Sequence, residues 1–377
     1  MKMSAGLTCR GNKINIAEVL VLLPAWLILL SNAFAFAEDF YLESPFNTRM
    51  LRLQIDNDVV WKEDSNFSSG LSLQYHTIRY ADWAETQAPG FVKWVGNYFL
   101  TLHDDDSIVR YGHSLGQSIY TPAELELETP QDGDLPYAGT LTYSLSWQRF
   151  NRRKAKNLMV TIGVLGREAL AENSQKIAHD QMGLGEDPQG WDTQRDSEPI
   201  FNVGYQYTLG LFSVGQHTNG WAGQLALQPS ISLGNINTAV KAGLGFRWGW
   251  NMMEGSFGFP DRPGCEFIQE AYLPKPPSAS LHSVEMVLGI SGTALAYSVL
   301  YDGSVISGDE REVDRETFFA SGLVGFIYRY HPFFSFGAYL QSSTDLLKMD
   351  SLPDPLPGGE KTHPDLSYGI LMIDFYF

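Results

Sequence analysis

The 377-residue chain holds only two cysteines, Cys9 and Cys265. No run of 18 or more apolar residues follows residue 37, and positive charge is scarce, with 26 Lys and Arg against 43 Asp and Glu. Each shortage excludes something. Cys9 sits in a leader-like N-terminus, which leaves Cys265 without a partner for an internal disulfide. A large extracytoplasmic chain then needs another source of stability. The absence of long apolar runs excludes helical membrane spans. A formal net charge of −17 argues against nucleic acid as a partner.

The leader is legible in the first 37 residues. Lys2, Arg10 and Lys13 form a basic start, residues 19–30 (VLVLLPAWLILL) form a short apolar stretch, and Ala35-Phe36-Ala37 is a small-x-small cleavage pattern. This predicts a secretory signal peptide over 1–37 and a mature domain over 38–377. Cleavage would remove three basic residues and one acid, moving the formal charge from −17 to −19. The alternative is an uncleaved membrane anchor, for which the apolar stretch is short.

What is present favours a transmembrane β-barrel. Aromatics make up 13% of the chain, glycine occurs 36 times, and apolar and polar residues alternate along most of its length. The alternation predicts twelve strands, at roughly 49–59, 69–80, 109–120, 138–150, 157–167, 199–211, 222–234, 237–248, 282–302, 316–330, 333–343 and 367–377. An even number of strands of about ten residues suits a single-chain bacterial barrel. The chain ends SYGILMIDFYF, placing Leu371, Ile373, Phe375 and Phe377 on one face and Asp374 on the other. That terminal pattern resembles the signal read by the barrel assembly machinery. Tyr120, Trp147, Phe150, Trp248, Trp250, Tyr328 and Tyr330 mark strand ends and are expected in interfacial girdles. Short turns at 151–156 and 330–333 are read as periplasmic. Long segments at 80–108, 121–137, 168–198, 250–281 and 344–366 are read as outer loops. A secreted β-sandwich is the bland alternative.

One loop does not alternate. Residues 168–182 (EALAENSQKIAHDQM) are rich in helix formers and contain neither Gly nor Pro. Gln175 and His179 are four apart and share a helical face. A histidine so placed can serve as a general base or simply be a solvated loop residue, and spacing alone does not choose between them. A second oddity is the first strand. Leu53 and Ile55 are apolar, and then Asn57 falls where the next apolar residue is due, flanked by Asp56 and Asp58.

Several pieces recur in a fixed order: Asn57-Asp58, then Asp64-x-Asn66-Phe67-Ser68-Ser69-Gly70; Gly116-Gln117-x-Ile119-Tyr120-Thr121-Pro122; Asp134-x-Pro136-Tyr137-Ala138-Gly139; Gln175-x-x-x-His179; Pro188-Gln189-Gly190-Trp191-Asp192; residues 233–238 (LGNINT); and Asp302-Gly303. In this order the chain resembles the outer-membrane lipid A 3′-O-deacylase family, the LpxR type. The resemblance implies a twelve-stranded barrel and a calcium-dependent esterase acting on lipopolysaccharide in the outer leaflet. By the same resemblance His179 matches the histidine that activates water and Gln175 its helical neighbour. Asn57 and Asp58 match the Asn-Asp pair, and Ser68 stands where the family has a threonine. Asp58 is the expected calcium ligand on the first strand and Glu186 a second. Two departures stand out. Segment 123–134 carries five acids and no base, and Lys176 follows Gln175 where relatives often have Asn. The competing readings are an outer-membrane phospholipase with Ser68 as nucleophile and a non-enzymatic porin or adhesion barrel.

Overall fold

The computed structural model describes residues 42–58, 66–99, 102, 107–182, 188–259, 270–355 and 363–377, without the side chains of 66 and 178–182. The leader over 1–37, Asp64 and Glu186 lie outside the described residues. All described residues belong to one compact unit.

Twelve strands close into an antiparallel barrel: β1 (Met50–Asn57), β2 (Asn66–His76), β3 (Ile108–Thr121), β4 (Ala138–Phe150), β5 (Lys154–Leu165), β6 (Glu198–Gly215), β7 (Trp221–Gly234), β8 (Thr238–Trp250), β11 (His282–Tyr297), β12 (Phe318–Tyr330), β13 (Phe334–Ser343) and β14 (Tyr368–Tyr376). β1 pairs with β2 on one side and β14 on the other, so no sheet edge is left open. Two short strands, β9 (Gly255–Phe257) and β10 (Glu270–Tyr272), form a separate ribbon. The helices are α1 (Gly90–Tyr98) and α2 (Ala171–Met182). No helix among the described residues is long and apolar enough to cross a membrane; the strands do that.

Alternation builds the wall. On β1, Arg52, Gln54 and Asp56 are buried in the lumen, while Leu53 and Ile55 are exposed outside. The last strand repeats this: Leu371, Ile373 and Phe375 face out, and Asp374 turns in to meet Arg52 at 2.6 Å. A strand has a two-residue period, so this division follows directly from the sequence.

Ion pairs and aromatic packing replace disulfides in the lumen. Arg52 also bonds Glu270 at 2.7 Å, Arg329 bonds Glu285 at 2.6 Å and Glu270 at 3.2 Å, and Arg247 bonds Glu285 at 3.0 Å. Tyr272 of the ribbon lies between the Arg247 and Arg329 guanidiniums, 4.8 and 4.9 Å from its ring centre. Buried charges are costly unless paired, and these are paired on several sides. The ribbon thus fills the lumen at the end where the chain closes, which weighs against an open conduit.

Two expectations need correction. Chain direction puts 77–107 and 251–281 at the same end as Met50 and Phe377, with the short turns at 151–153, 216–220 and 331–333. These two long segments are therefore at the terminal end; one packs on the outer wall and the other enters the lumen. The girdle also shrinks. Trp248, Trp250, Tyr328 and Tyr330 face outward, but strand parity turns Tyr120 and Phe150 into the lumen. Trp147 faces out and is covered by α1.

Candidate functional site

The far end of the wall over β1–β4 carries polar groups on its outer side. Asn57 keeps the outward parity of Leu53 and Ile55. Beside it, β2 changes register against β3 between Phe67 and Ser69. A bulge takes one residue out of the ladder and re-aims its neighbours. Here Phe67 turns inward onto Tyr120 and Tyr368. Asn57 Nδ2 donates to the Ser68 carbonyl at 2.9 Å. The Ser68 hydroxyl is buried and hydrogen-bonded to the Thr121 hydroxyl at 2.5 Å. Asp58 follows on the opposite parity and is buried, with its backbone N–H 3.4 Å from the same Ser68 carbonyl.

Lipid would penalise such a polar patch, and the loop between β5 and β6 is held beside it, on β3 and β4. Gln117, outward on β3, donates its side-chain amide to the Ala169 carbonyl at 2.6 Å. Gly166 N–H donates to the Gly139 carbonyl at 2.9 Å. Gly139 is outward on β4 because α2 needs the space: a Cβ there would overlap the Ala171 side chain. Ile119, Leu125, Tyr137, Ala171 and Trp191 form a small apolar core between wall and loop. The helical pattern predicted over 168–182 begins at Ala171 after a tight turn.

Ala171 and Gln175 are the buried stripe of α2. Gln175 Oε1 accepts from the Trp191 indole N–H at 2.8 Å. Residue 179 occupies the next position of that stripe, and its side chain lies outside the described residues. Asn57 is on β1, two strand spacings (about 10 Å) from β3, where the loop is held. The structure thus brings Asn57, Ser68 and Thr121 together on the wall and puts Gln175 on the loop held at β3 and β4; it leaves the placement of the His179 imidazole and of Glu186 undescribed.

Thr121, Gln117 and Trp191 were quoted in the sequence pieces without a site role. Their signal was a hydroxyl, an amide and an indole in otherwise apolar or turn-forming segments. The Gly-x-Ser-x-Gly spacing does occur, at Gly112-His113-Ser114-Leu115-Gly116, but it lies within β3 with Ser114 buried on the lumenal side. A nucleophile elbow needs a strand-to-helix turn that presents the serine, so this is wall sequence.

Neighbouring loops fix the cover. Tyr137 packs against Trp191 with ring centres 4.9 Å apart and ring planes tilted by 50°, and its hydroxyl donates to the Leu125 carbonyl at 3.0 Å. The acidic segment over 123–134 is folded on itself: Asp134 accepts from Ala123 and Leu135 N–H. On the other side Arg311 donates to the Thr193 carbonyl at 2.5 Å and the Gln194 carbonyl at 3.0 Å, and Asp309 holds Arg311 at 2.5 Å. Burial alone would raise the Asp309 pKa; Arg311 hydrogen bonds and the Arg195 charge outweigh it and bring the carboxyl down to about 2.

Calcium takes hard oxygen donors. The seam supplies hydroxyl and carbonyl oxygens and no sulfur, and the one buried carboxylate next to it, Asp58, follows on the opposite parity. That chemistry fits the cation. Among the described residues no group of three His, Cys, Asp or Glu forms a metal centre.

A closed barrel with a lipid-facing apolar band and a polar seam on its outer wall defines an outer-membrane β-barrel. The chain matches the family model described as outer membrane protein LpxR over residues 22–350 and belongs to that family. Among solved structures, LpxR from Salmonella typhimurium is similar in fold, with a TM-score of 0.63, at 18% identity over 87% of this chain and 100% of that one. The β domain of the Bordetella autotransporter BrkA matches at 8% identity over 87% and 97% of the two chains, with a TM-score of 0.37. No curated protein matches the chain.

Proposed function

We propose that this barrel is a calcium-dependent hydrolase that removes the 3′-linked acyloxyacyl chain from lipid A, with its site at the outer leaflet. The observation that carries the reading is the polar seam: Asn57, Ser68 and Thr121 on the outer wall beside a loop bearing Gln175, in a chain of the LpxR family. Lipid A reaches such a site laterally, with its acyl chains still in the membrane.

His179 acts as general base. Its neutral imidazole takes a proton from water, and the resulting hydroxide adds to the ester carbonyl carbon. The tetrahedral intermediate collapses with cleavage of the acyl–oxygen bond. The sugar 3′ oxygen receives the proton and the fatty acid leaves as carboxylate. Gln175, held by Trp191, fixes the helix that presents residue 179. Asn57 and the Ser68 hydroxyl line the wall side and orient the ester. Asp58 and Glu186 would hold calcium, which supplies positive charge for the developing oxyanion.

Mass spectrometry of lipid A from cells expressing the wild type or His179→Ala tests this, with and without chelator. The wild type is expected to produce lipid A lacking the 3′ chain in a calcium-dependent way. Lipid A of unchanged acylation, with folded barrel in the membrane and calcium supplied, would falsify the reading.

A further inference from the structure

The outer wall carries a second helix at its other end. α1 packs on outward-facing Val109, Trp147 and Leu158 of β3–β5. The Trp147 indole N–H donates to the Val92 carbonyl at 2.9 Å. Gly96, one turn on, lies so close to the Trp83 ring that a Cβ would overlap it. Val92 and Gly96 are therefore the stripe that meets the protein.

The opposite stripe is exposed among the described residues. Phe91, Trp94 and Tyr98, at i, i+3 and i+7, are 59%, 64% and 70% exposed. The only charge on the helix is Lys93, whose ammonium folds back to the Ala84 carbonyl at 3.0 Å. Water is a poor solvent for three large aromatics on nine residues. The same strands show what lies beside them. Four residues above the covered Tyr111, Trp147 and Leu158, the wall exposes Leu115, Tyr143 and Ile162. Four residues are about 13 Å along a strand, less along the membrane normal because strands tilt. The aromatic stripe is thus continuous with the lipid-facing band and sits at its lower edge, where rings with one apolar and one polar end are most at home.

We propose that α1 is an interfacial anchor, with Phe91, Trp94 and Tyr98 set into the headgroup–acyl boundary of the glycerophospholipid leaflet at the terminal end of the barrel. Amphipathic surface helices bury one face at this depth without crossing the membrane. The stripe clamps the barrel at a fixed depth from the side opposite the seam.

The test uses the full chain with Cys9→Ser and Cys265→Ser, reconstituted in phosphatidylcholine vesicles and carrying one nitroxide label at a time. Labels go on Trp94→Cys and Tyr98→Cys, with Leu115→Cys as the lipid reference and Glu85→Cys as the water reference. Electron paramagnetic resonance measures collisions with oxygen and with a water-soluble nickel chelate. Labels at 94 and 98 are expected to fall between 115 and 85, with an oxygen-to-nickel ratio several-fold above that at 85. A ratio equal to that at 85 would put the helix in water and overturn the proposal. Immobilised labels shielded from both reagents would assign the face to a second copy of the chain and overturn it equally.

Discussion

The two helices lie on the outside of one barrel wall and cover opposite chemistry. α1 seals Val109, Tyr111, Trp147 and Leu158, which lipid would also accept. α2 and its loop seal Gln117 and lie beside Asn57, Ser68 and Thr121, which lipid would penalise. Cover over apolar wall adds packing and membrane contact. Cover over polar wall needs another reason, because leucines there would be cheaper. The contrast separates an anchor from a site: what the wall presents beneath each helix decides, not the helix itself.

Variants on the two sides sharpen that contrast. His179→Ala is expected to lower lipid A deacylation by about two to four orders of magnitude, the range of a lost general base, with the barrel still resisting detergent and heat. Substantial activity in that variant, read by acyl-chain release, would remove His179 from its assigned role. Gly139→Val comes next. A branched side chain there pushes Ala171 off the wall, so deacylation falls at least about tenfold, the kind of loss that displacement by about an ångström brings. Protease cleavage within α2 should speed up in parallel. Unchanged cleavage and activity would mean that α2 is not held at Gly139.

Smaller effects follow. Gly96→Ala forces a methyl against Trp83 and is expected to cost about 1–3 kcal/mol, as overpacking does, measured by urea unfolding in micelles. Deacylation by the folded fraction should not change, and a matching loss of activity would blur the distinction between the helices. Trp191→Phe removes the hydrogen bond to Gln175 Oε1. The expected loss is about 1 kcal/mol in local stability and a several-fold drop in rate.

The loop clasp is sensitive to acid. The folded-state pKa of Asp309 lies below the ordinary carboxylate value, at about 2. Its contribution is therefore present above the ordinary carboxylate range and fades as pH falls through about 2. Pepsin cleavage of the loop around Arg311 should rise over that interval, and Asp309→Asn should show the fast cleavage already at higher pH. A flat profile in the wild type would contradict the assignment.

Much of this architecture was legible in the residues. The period of two separates Arg52, Gln54 and Asp56 from Leu53 and Ile55 without any structure, and twelve such runs make the barrel. The helical loop was legible in its composition, and Asn57 outward followed from parity. Other features were not. α1 escaped because Phe91, Val92, Trp94, Val95 and Tyr98 leave no single apolar stripe in GFVKWVGNY; both its faces are apolar, one for protein and one for lipid. The ribbon of β9 and β10 is three residues per strand, too short for a period. Tyr120 and Phe150 read as girdle because strand ends are uncertain by a residue, and one residue reverses the face. The lumenal pairs of Arg52, Arg247 and Arg329 join residues from distant strands, which spacing cannot show. The bulge at Ser68 left no mark in the sequence beyond the serine itself.

The central claim is that lipid is cleaved at the polar seam and not elsewhere on the wall. The most direct measurement is the rate of acyl release from lipid A by purified, folded protein in micelles with calcium, for Asn57→Ala and Trp94→Ala side by side. The account predicts a loss of about a hundredfold for Asn57→Ala, in the range for a lost polar group at a reacting centre, and a rate near wild type for Trp94→Ala. Equal rates for the two variants, or a loss confined to Trp94→Ala, would contradict it.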